Sequence, residues 1–219
     1  MPRTTLSLNS FVSGEFSAKM DGRVDFEKYS SGTKTLQNFL VHPQGAATRR
    51  VGTQFIAEVK NSAKKVRLIP FEFSTTQTYI LEFGDQYMRV YKDKGQVLSG
   101  GSPFEISTPY LEAELFDLKF AQSADVLYIC HPNHDVRKLS RTGHTNWTLA
   151  TVSFTQTSSL TISGANNRPS CVSFFEQRLV FANTNNNPQT LWFSKAGDYE
   201  NFTTGTNADD AMIYTIASN

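Results

Sequence analysis

The sequence predicts an all-β fold, mostly antiparallel, with a minor helical part. The clearest pattern lies in Phe174–Phe202, where the apolar runs RLVFA and TLWFS flank a polar loop, Asn183–Gln189. Runs of valine and aromatic residues bounded by Asn, Gly and Pro are typical of β-hairpins. The same order of strand, polar loop, strand, Gly turn and closing aromatic recurs in Asp125–Trp147. A strand-built repeat of about 50 residues predicts propeller-like blades, preceded here by a β-meander.

A weaker copy of the repeat, TYILEFGDQYMRVYKDKG, precedes the two clear copies. Aligning the two clear copies pairs residues that lie 53 to 55 positions apart, and the weaker copy lies 48 positions further upstream. The pairs are Leu127 with Val180, Gly143 with Gly197, Trp147 with Phe202, and Gly95 with Gly143.

Composition limits the classes of function. The 219 residues carry 21 Lys and Arg against 20 Asp and Glu, a formal net charge of +1. This balance argues against a general nucleic-acid binder, but it is compatible with a protein that surrounds nucleic acid without gripping it. Two cysteines, Cys130 and Cys171, are expected to be structural thiols. No secretory signal or apolar run long enough to span a membrane is present, so we expect a soluble chain made in a reducing cytoplasm.

Residues 1–52 are expected to form an N-terminal arm or strap. The segment has isolated aromatic residues among polar residues and glycines, a pattern that cannot form a core alone. A strap on its own domain is favoured over an arm that docks on a neighbouring subunit. A short helix is expected within Asp25–Phe39.

Residues 53–100 are expected to form the meander. Thr53–Val59 alternates with period two, and three further runs complete four consecutive strands over Thr53–Gly95, with a hairpin turn at Gly84 and Asp85. The Gly-, Ser- and Pro-containing stretch Leu98–Pro109 is the best candidate for a linker.

Residues 110–219 are expected to form the blades. Tyr110–Asp125 predicts a short helix that leads into a strand, and Thr148–Gly164 predicts a strand. The terminal ADDAMIYTIASN resembles a strand without a closing partner, so this set of blades is expected to be incomplete.

Few residues predict chemistry. His131 and His134, in the motif HPNH with His144 nearby, could bind zinc, but the second ligand pair of a structural zinc site is missing, and we expect a solvated hairpin loop. No nucleophile elbow, phosphate-binding loop or dinucleotide fingerprint occurs. The carboxylate pairs are expected to lie on solvated faces: Glu112 with Glu114, and Asp209 with Asp210. We therefore expect no enzyme activity and no catalytic, cofactor-binding or metal-binding residues.

Basic residues form three groups that could contact phosphates, although solvated surface turns are the favoured interpretation. The groups are Arg49 and Arg50; Lys60, Lys64, Lys65 and Arg67; and Arg137, Lys138 and Arg141. Adjacent residues of a strand point to opposite faces, so one ring of Trp192-Phe193 should point inward and the other outward, where it could meet a partner.

Several stretches resemble the tail nozzle (tail tubular protein B-like) proteins of short-tailed bacteriophages. SGEFS, Asp25–Asn38 and RRVGTQFI are similar to the opening of these proteins. LKFAQSADVLYICHPNHDVRKLSR, at Leu118–Arg141, and Phe174–Phe202 running on to DDAMIYTIASN are similar to characteristic stretches of the family. The resemblance covers nearly the whole chain.

The resemblance implies a structural virion protein of the tail, assembled in the host cytoplasm. Members of the family form a homohexameric ring at the distal end of the tail, where it continues the channel for DNA ejection. They contact an adaptor ring on the portal side and tail fibres or spikes, and double-stranded DNA passes through the lumen without sequence-specific binding. Family members are usually considerably longer than this chain. In this setting, the loop Asn183–Gln189 is expected to be a contact or lumen loop.

Two other functions compete with the nozzle subunit. One is a receptor- or glycan-binding β domain of a tail spike or adhesin. The other is a propeller hydrolase or lyase, which is disfavoured because the predicted loops carry Asn and Thr rather than acids.

Overall fold

In a computed structural model, residues 7–157 and 162–216 are described. The described part is mostly β, confirming the predicted fold class, and its helical part consists of three 3-10 turns: Ala18–Met20, Glu27–Ser31 and Glu112–Glu114. The chain divides into two compact units, Met1–Phe55 and Ile56–Asn219. The predicted blades, residues 110–219, and all but residues 53–55 of the predicted meander fall within the second unit.

The first unit has short strands and little interior. Its strands form a two-residue parallel ladder and a small hairpin: β1 Gly14–Glu15 with β2 Gly32–Thr33, and β3 Phe39–Val41 with β4 Ala47–Arg49. Phe16 and Tyr29 stack with their ring centroids 5.6 Å apart. Within the described residues of this unit, no large apolar side chain is buried, so the aromatic residues pair with each other rather than fill a core.

The second unit contains three antiparallel sheets. Sheet 1 has the order β11-β7-β6-β5 with β8 on β7, sheet 2 the order β12-β13-β14-β15, and sheet 3 the order β17-β18-β19-β21. Two small ladders lie outside them, β9 with β10 and β16 with β20. The strands are β5 Arg67–Ser74, β6 Gln77–Gly84, β7 Tyr87–Lys92, β8 Gly95–Gln96, β9 Leu98–Ser99, β10 Ser102–Pro103, β11 Glu105–Ser107, β12 Lys119–Ser123, β13 Val126–His131, β14 His134–Gly143, β15 Asn146–Thr151, β16 Thr155–Gln156, β17 Cys171–Phe175, β18 Arg178–Ala182, β19 Thr190–Phe193, β20 Asn201–Phe202 and β21 Met212–Thr215.

Sheet 2 lies between the other two because it is apolar on both faces. Leu127 and Ile129 join a core with the inner face of sheet 1. Tyr128 and Cys130, which alternate with them along β13, join a second core with the inner face of sheet 3. Successive side chains of a strand point to opposite faces, so one apolar run supplies both cores.

Two predicted features of the meander are wrong. Thr53–Val59 forms no strand, and Phe55 is 79% exposed. A period-two pattern becomes a strand only where a sheet edge accepts its hydrogen bonds. The fourth strand of sheet 1 is instead β11, which pairs with β7 and lies inside the predicted linker Leu98–Pro109. The hairpin after Gly84 is confirmed, with Asp85 and Gln86 as its loop.

The 3-10 turns within Asp25–Phe39 and Tyr110–Asp125 stand where short helices were predicted, and β12 follows the second of them. The predicted strand Thr148–Gly164 is only partly present, as the end of β15 and as β16, and four of its residues, 158–161, lie outside the described residues.

The repeat is present in the order of the strands of sheets 2 and 3, but the predicted alignment of its two copies is shifted by one residue. Leu127 and Val180 both lie in second strands, yet Leu127 faces the preceding sheet, whereas Leu179 and Phe181 are the residues of β18 that do so. Leu179 is therefore the structural equivalent of Leu127.

The fourth strand of sheet 3 also differs from the prediction. It is β21, which pairs with β19, so the terminal strand has a partner, contrary to expectation. Phe202 lies outside the sheet, in β20, although its ring packs into the second core.

Candidate interaction surfaces

The outer face of sheet 3 is an apolar surface. Cross-strand pairing places Ser173, Val180, Phe193 and Met212 in one row. The neighbouring row runs from Cys171 through Ala182 and Leu191 to Tyr214. Phe175, Met212 and Tyr214 are 57%, 45% and 68% exposed, respectively. Trp192 points to the core and Phe193 away from it, which confirms the predicted split of this aromatic pair.

The outer face of sheet 1 carries an open cavity of about 550 Å³. Its apolar wall comes from the irregular segment before β5 and from the sheet itself: Ile56, Val59, Val66, Leu68 and Ile80. Leu68 and Ile80 are 61% and 41% exposed. The two outer faces therefore lie on opposite sides of the three-sheet stack, because each belongs to a sheet whose other face packs on sheet 2.

A buried carboxylate forms part of the wall of this cavity. Glu82 is 1% exposed, and its Oε1 and Oε2 accept the hydroxyls of Tyr87 and Tyr91 at 2.7 and 2.5 Å. Burial and these bonds to Glu82 raise the pKa of both hydroxyls, that of Tyr87 to about 12. Charged hydrogen bonds of this kind keep a buried carboxylate from destabilising the sheet.

The histidines of the HPNH motif lie at the turn between β13 and β14, as predicted, but His131 is only 2% exposed, so the expectation of solvation is wrong for this side chain. His144 lies elsewhere, with Nδ1 2.6 Å from the hydroxyl of Tyr79. Glu114, rather than His144, lies beside the motif, with its Oε2 2.8 Å from His134 Nε2.

Glu114 is not part of a solvated face, because its side chain is 16% exposed. Burial raises the pKa of its carboxyl, but hydrogen bonds from the Leu111 N–H, His134 and Asn133 outweigh this effect and lower the pKa to about 2. The only sequence signal for this role is the spacing of Leu111 and Glu114, which lets the carboxylate accept the backbone N–H at the start of a helical turn at 3.0 Å. Asp209 and Asp210, the second carboxylate pair, both lie near the Lys195 ammonium, at 3.3 Å and 3.6 Å.

Several basic residues make internal contacts rather than forming solvated turns. Arg67 donates to the carbonyls of Leu115 and Leu118 at 2.8 Å each. Arg141, which is 9% exposed and lies within β14 rather than in a turn, pairs with Asp125 and stacks on Phe73 at 3.8 Å. Lys138 pairs with Glu200 at 2.5 Å, whereas Lys60, which pairs with Glu105 at 2.5 Å, stays on the surface with its side chain 50% exposed.

The loop Asn183–Gln189 is held against the preceding segment. The N–H of Asn186 donates to the Asn166 carbonyl, and its side-chain amide donates to Asn167 Oδ1 at 2.8 Å. Thr184 is buried within the loop.

Neither the scan against protein-family models nor the search of curated proteins finds a match. Among the described residues, no helix has the length and apolar character needed to cross a membrane.

Proposed function

We propose that this chain is a structural subunit of the tail nozzle of a short-tailed bacteriophage, part of a ring at the distal end of the DNA-ejection channel. The observation that carries the proposal is the pair of apolar outer faces on the three-sheet stack, around Phe175 and Tyr214 on sheet 3 and around Leu68 and Ile80 on sheet 1. The resemblance of Leu118–Arg141 and Phe174–Phe202 to the nozzle family supplies the biological setting.

The two faces suit contact between copies of the chain. Within the chain, sheets 1, 2 and 3 pack face to face through apolar rows, and the same packing would join the outer face of sheet 3 to the outer face of sheet 1 in the next copy. Such a contact joins two different surfaces, and repeated contacts of this type generate a ring where the rotation closes. The resemblance sets the expected number of subunits at six.

The three sheets support a propeller-like arrangement within this proposal. Each begins with strands that run up and down in sequence order, and the first strands of sheets 2 and 3, β12 and β17, lie side by side. First strands that meet along one line are the arrangement that blades adopt around a propeller axis.

The charges fit a channel that lets DNA slide. Tight binding to DNA requires many phosphate contacts from free Lys and Arg. The net charge here is +1, and Lys60, Lys138 and Arg141 are engaged by carboxylates of the same chain. We place the chain in the virion tail, with an adaptor ring and tail fibres or spikes as neighbours. The first unit, which has little interior of its own, is the candidate for an arm that contacts them.

Light scattering coupled to size exclusion tests the ring. We expect the wild-type chain to form hexamers at micromolar concentration and Phe175→Glu to shift it to monomer with an unchanged circular dichroism spectrum. Phe116→Glu is the matched control, because Phe116 is 59% exposed and lies outside both outer faces. A wild-type chain that remains monomeric up to high concentration would contradict the proposal, and glycan-array binding by that monomer would favour the receptor-binding alternative.

A further inference from the structure

We propose that Glu114, His131 and His134 form a binding site for a divalent first-row metal ion, with Zn²⁺ the best fit. The two histidines end β13 and begin β14, and Glu114 closes the 3-10 turn in the connection from sheet 1 to sheet 2. One ligand atom from each residue lies within 4.8 Å of the other two. The fold thus brings Glu114 to the two histidines of the HPNH motif.

The distances are close to those that an ion requires. Metal–ligand bonds of about 2.0–2.1 Å in a tetrahedral site place neighbouring ligand atoms about 3.3 Å apart. His134 Nε2 and Glu114 Oε2, now 2.8 Å apart, would separate slightly. The side chains of His134 and Glu114 retain 22% and 16% exposure, which leaves them room to adjust.

The donor set suits Zn²⁺ among the common ions. Two imidazoles and one carboxylate hold zinc in open sites that keep one position for water, whereas Ca²⁺ and Mg²⁺ prefer oxygen ligands. The ion would bind between His134 Nε2 and Glu114 Oε2, so metal binding would replace the hydrogen bond that joins these two atoms.

The surrounding residues hold the ligands in place. Asn133 Nδ2 donates to Glu114 Oε1 at 3.3 Å, and the Leu111 N–H donates to Oε2 at 3.0 Å. The Tyr110 ring packs edge-on against His134 with the ring centroids 5.1 Å apart. Such outer contacts restrict the ligand side chains and strengthen a metal site.

A bound ion would join the connection between sheets 1 and 2 to the turn of the β13–β14 hairpin. Because the unfolded chain does not hold these three residues together, metal binding would stabilise the second unit, and the gain would rise with the logarithm of the metal affinity.

Calorimetry and cobalt spectroscopy on the full chain test this site. After chelator treatment, we expect ZnCl₂ to bind with one ion per chain and to raise the melting temperature, and CoCl₂ to give the visible absorption of a tetrahedral site. Glu114→Gln and His134→Asn should weaken zinc affinity by at least about tenfold. His42→Asn is the control, because His42 is an exposed histidine of the first unit, and it should bind as the wild type does.

The Glu114→Gln variant keeps an oxygen that can accept the Leu111 N–H, so its fold can be verified by circular dichroism before titration. Absence of zinc binding by the wild-type chain, or equal affinity in the folded Glu114→Gln variant, would overturn the proposal.

Discussion

Tyr87 has two structural roles in sheet 1: it hydrogen-bonds to Glu82 and it packs over Gly84. Tyr87 is 4% exposed, donates to the buried carboxylate of Glu82 and covers Gly84 on the paired strand. A Cβ atom at Gly84 would lie 2.1 Å from the Tyr87 ring, so the glycine is needed for the close approach of that ring. The alternating sequence predicts these strands, but it gives no signal that a carboxylate is buried between two tyrosines.

We expect Tyr87→Phe to lower the free energy of unfolding by about 1.5–3 kcal/mol, the usual contribution of a hydrogen bond to a charged group. The pKa of Tyr87 rises on folding from an ordinary value of 10.0 to about 12. Its contribution is therefore complete below pH 10 and is lost as the pH rises through 12. Urea denaturation at a series of alkaline pH values measures both effects. Tyr214→Phe, at an exposed tyrosine, should behave as the wild type at neutral pH.

At the scale of elements, the two faces of sheet 3 have different roles. Phe181 lies in the core between sheets 2 and 3 and is fully buried, whereas Phe175 lies on the outer face of the same sheet. The sequence shows apolar residues at both positions, so alternation alone does not tell which face is covered. Only the packing of sheet 2 against one of them decides this.

We expect Phe181→Ala to lower the free energy of unfolding by about 3–5 kcal/mol because it leaves a cavity in the core. Phe175→Ala, the same change on the opposite face, should change the stability of the isolated monomer by no more than about 0.5 kcal/mol. Chemical denaturation below the concentration of assembly measures both variants. Equal losses would show that the outer face is covered within a single chain.

At the scale of the whole molecule, the two compact units differ in how they are stabilised. The second unit has two apolar cores, and the first buries no large apolar side chain within its described residues. Buried apolar area is the main favourable contribution to folding. The second unit is therefore expected to be stable without the first.

We expect limited trypsin digestion to remove the first unit by cleavage near Arg49, Arg50 or Lys60 and to leave a resistant fragment. This fragment should unfold in one transition at the melting temperature of the intact chain, as followed by mass spectrometry and differential scanning fluorimetry. Rapid degradation of the whole chain would show that the second unit depends on the first.

The amino-acid sequence by itself determined the fold class, most strands of the sheets, the hairpin turns and the repeat, because these follow from alternation of apolar residues and from local turn chemistry. The tertiary structure alone decided that β11 and β21 complete sheets 1 and 3, that Thr53–Val59 pairs with no strand, and that Glu114 joins His131 and His134. These features depend on which distant segment reaches a sheet edge or a turn. Local periodicity indicates on which face of a strand a side chain lies, but it does not indicate which other segment pairs with that strand.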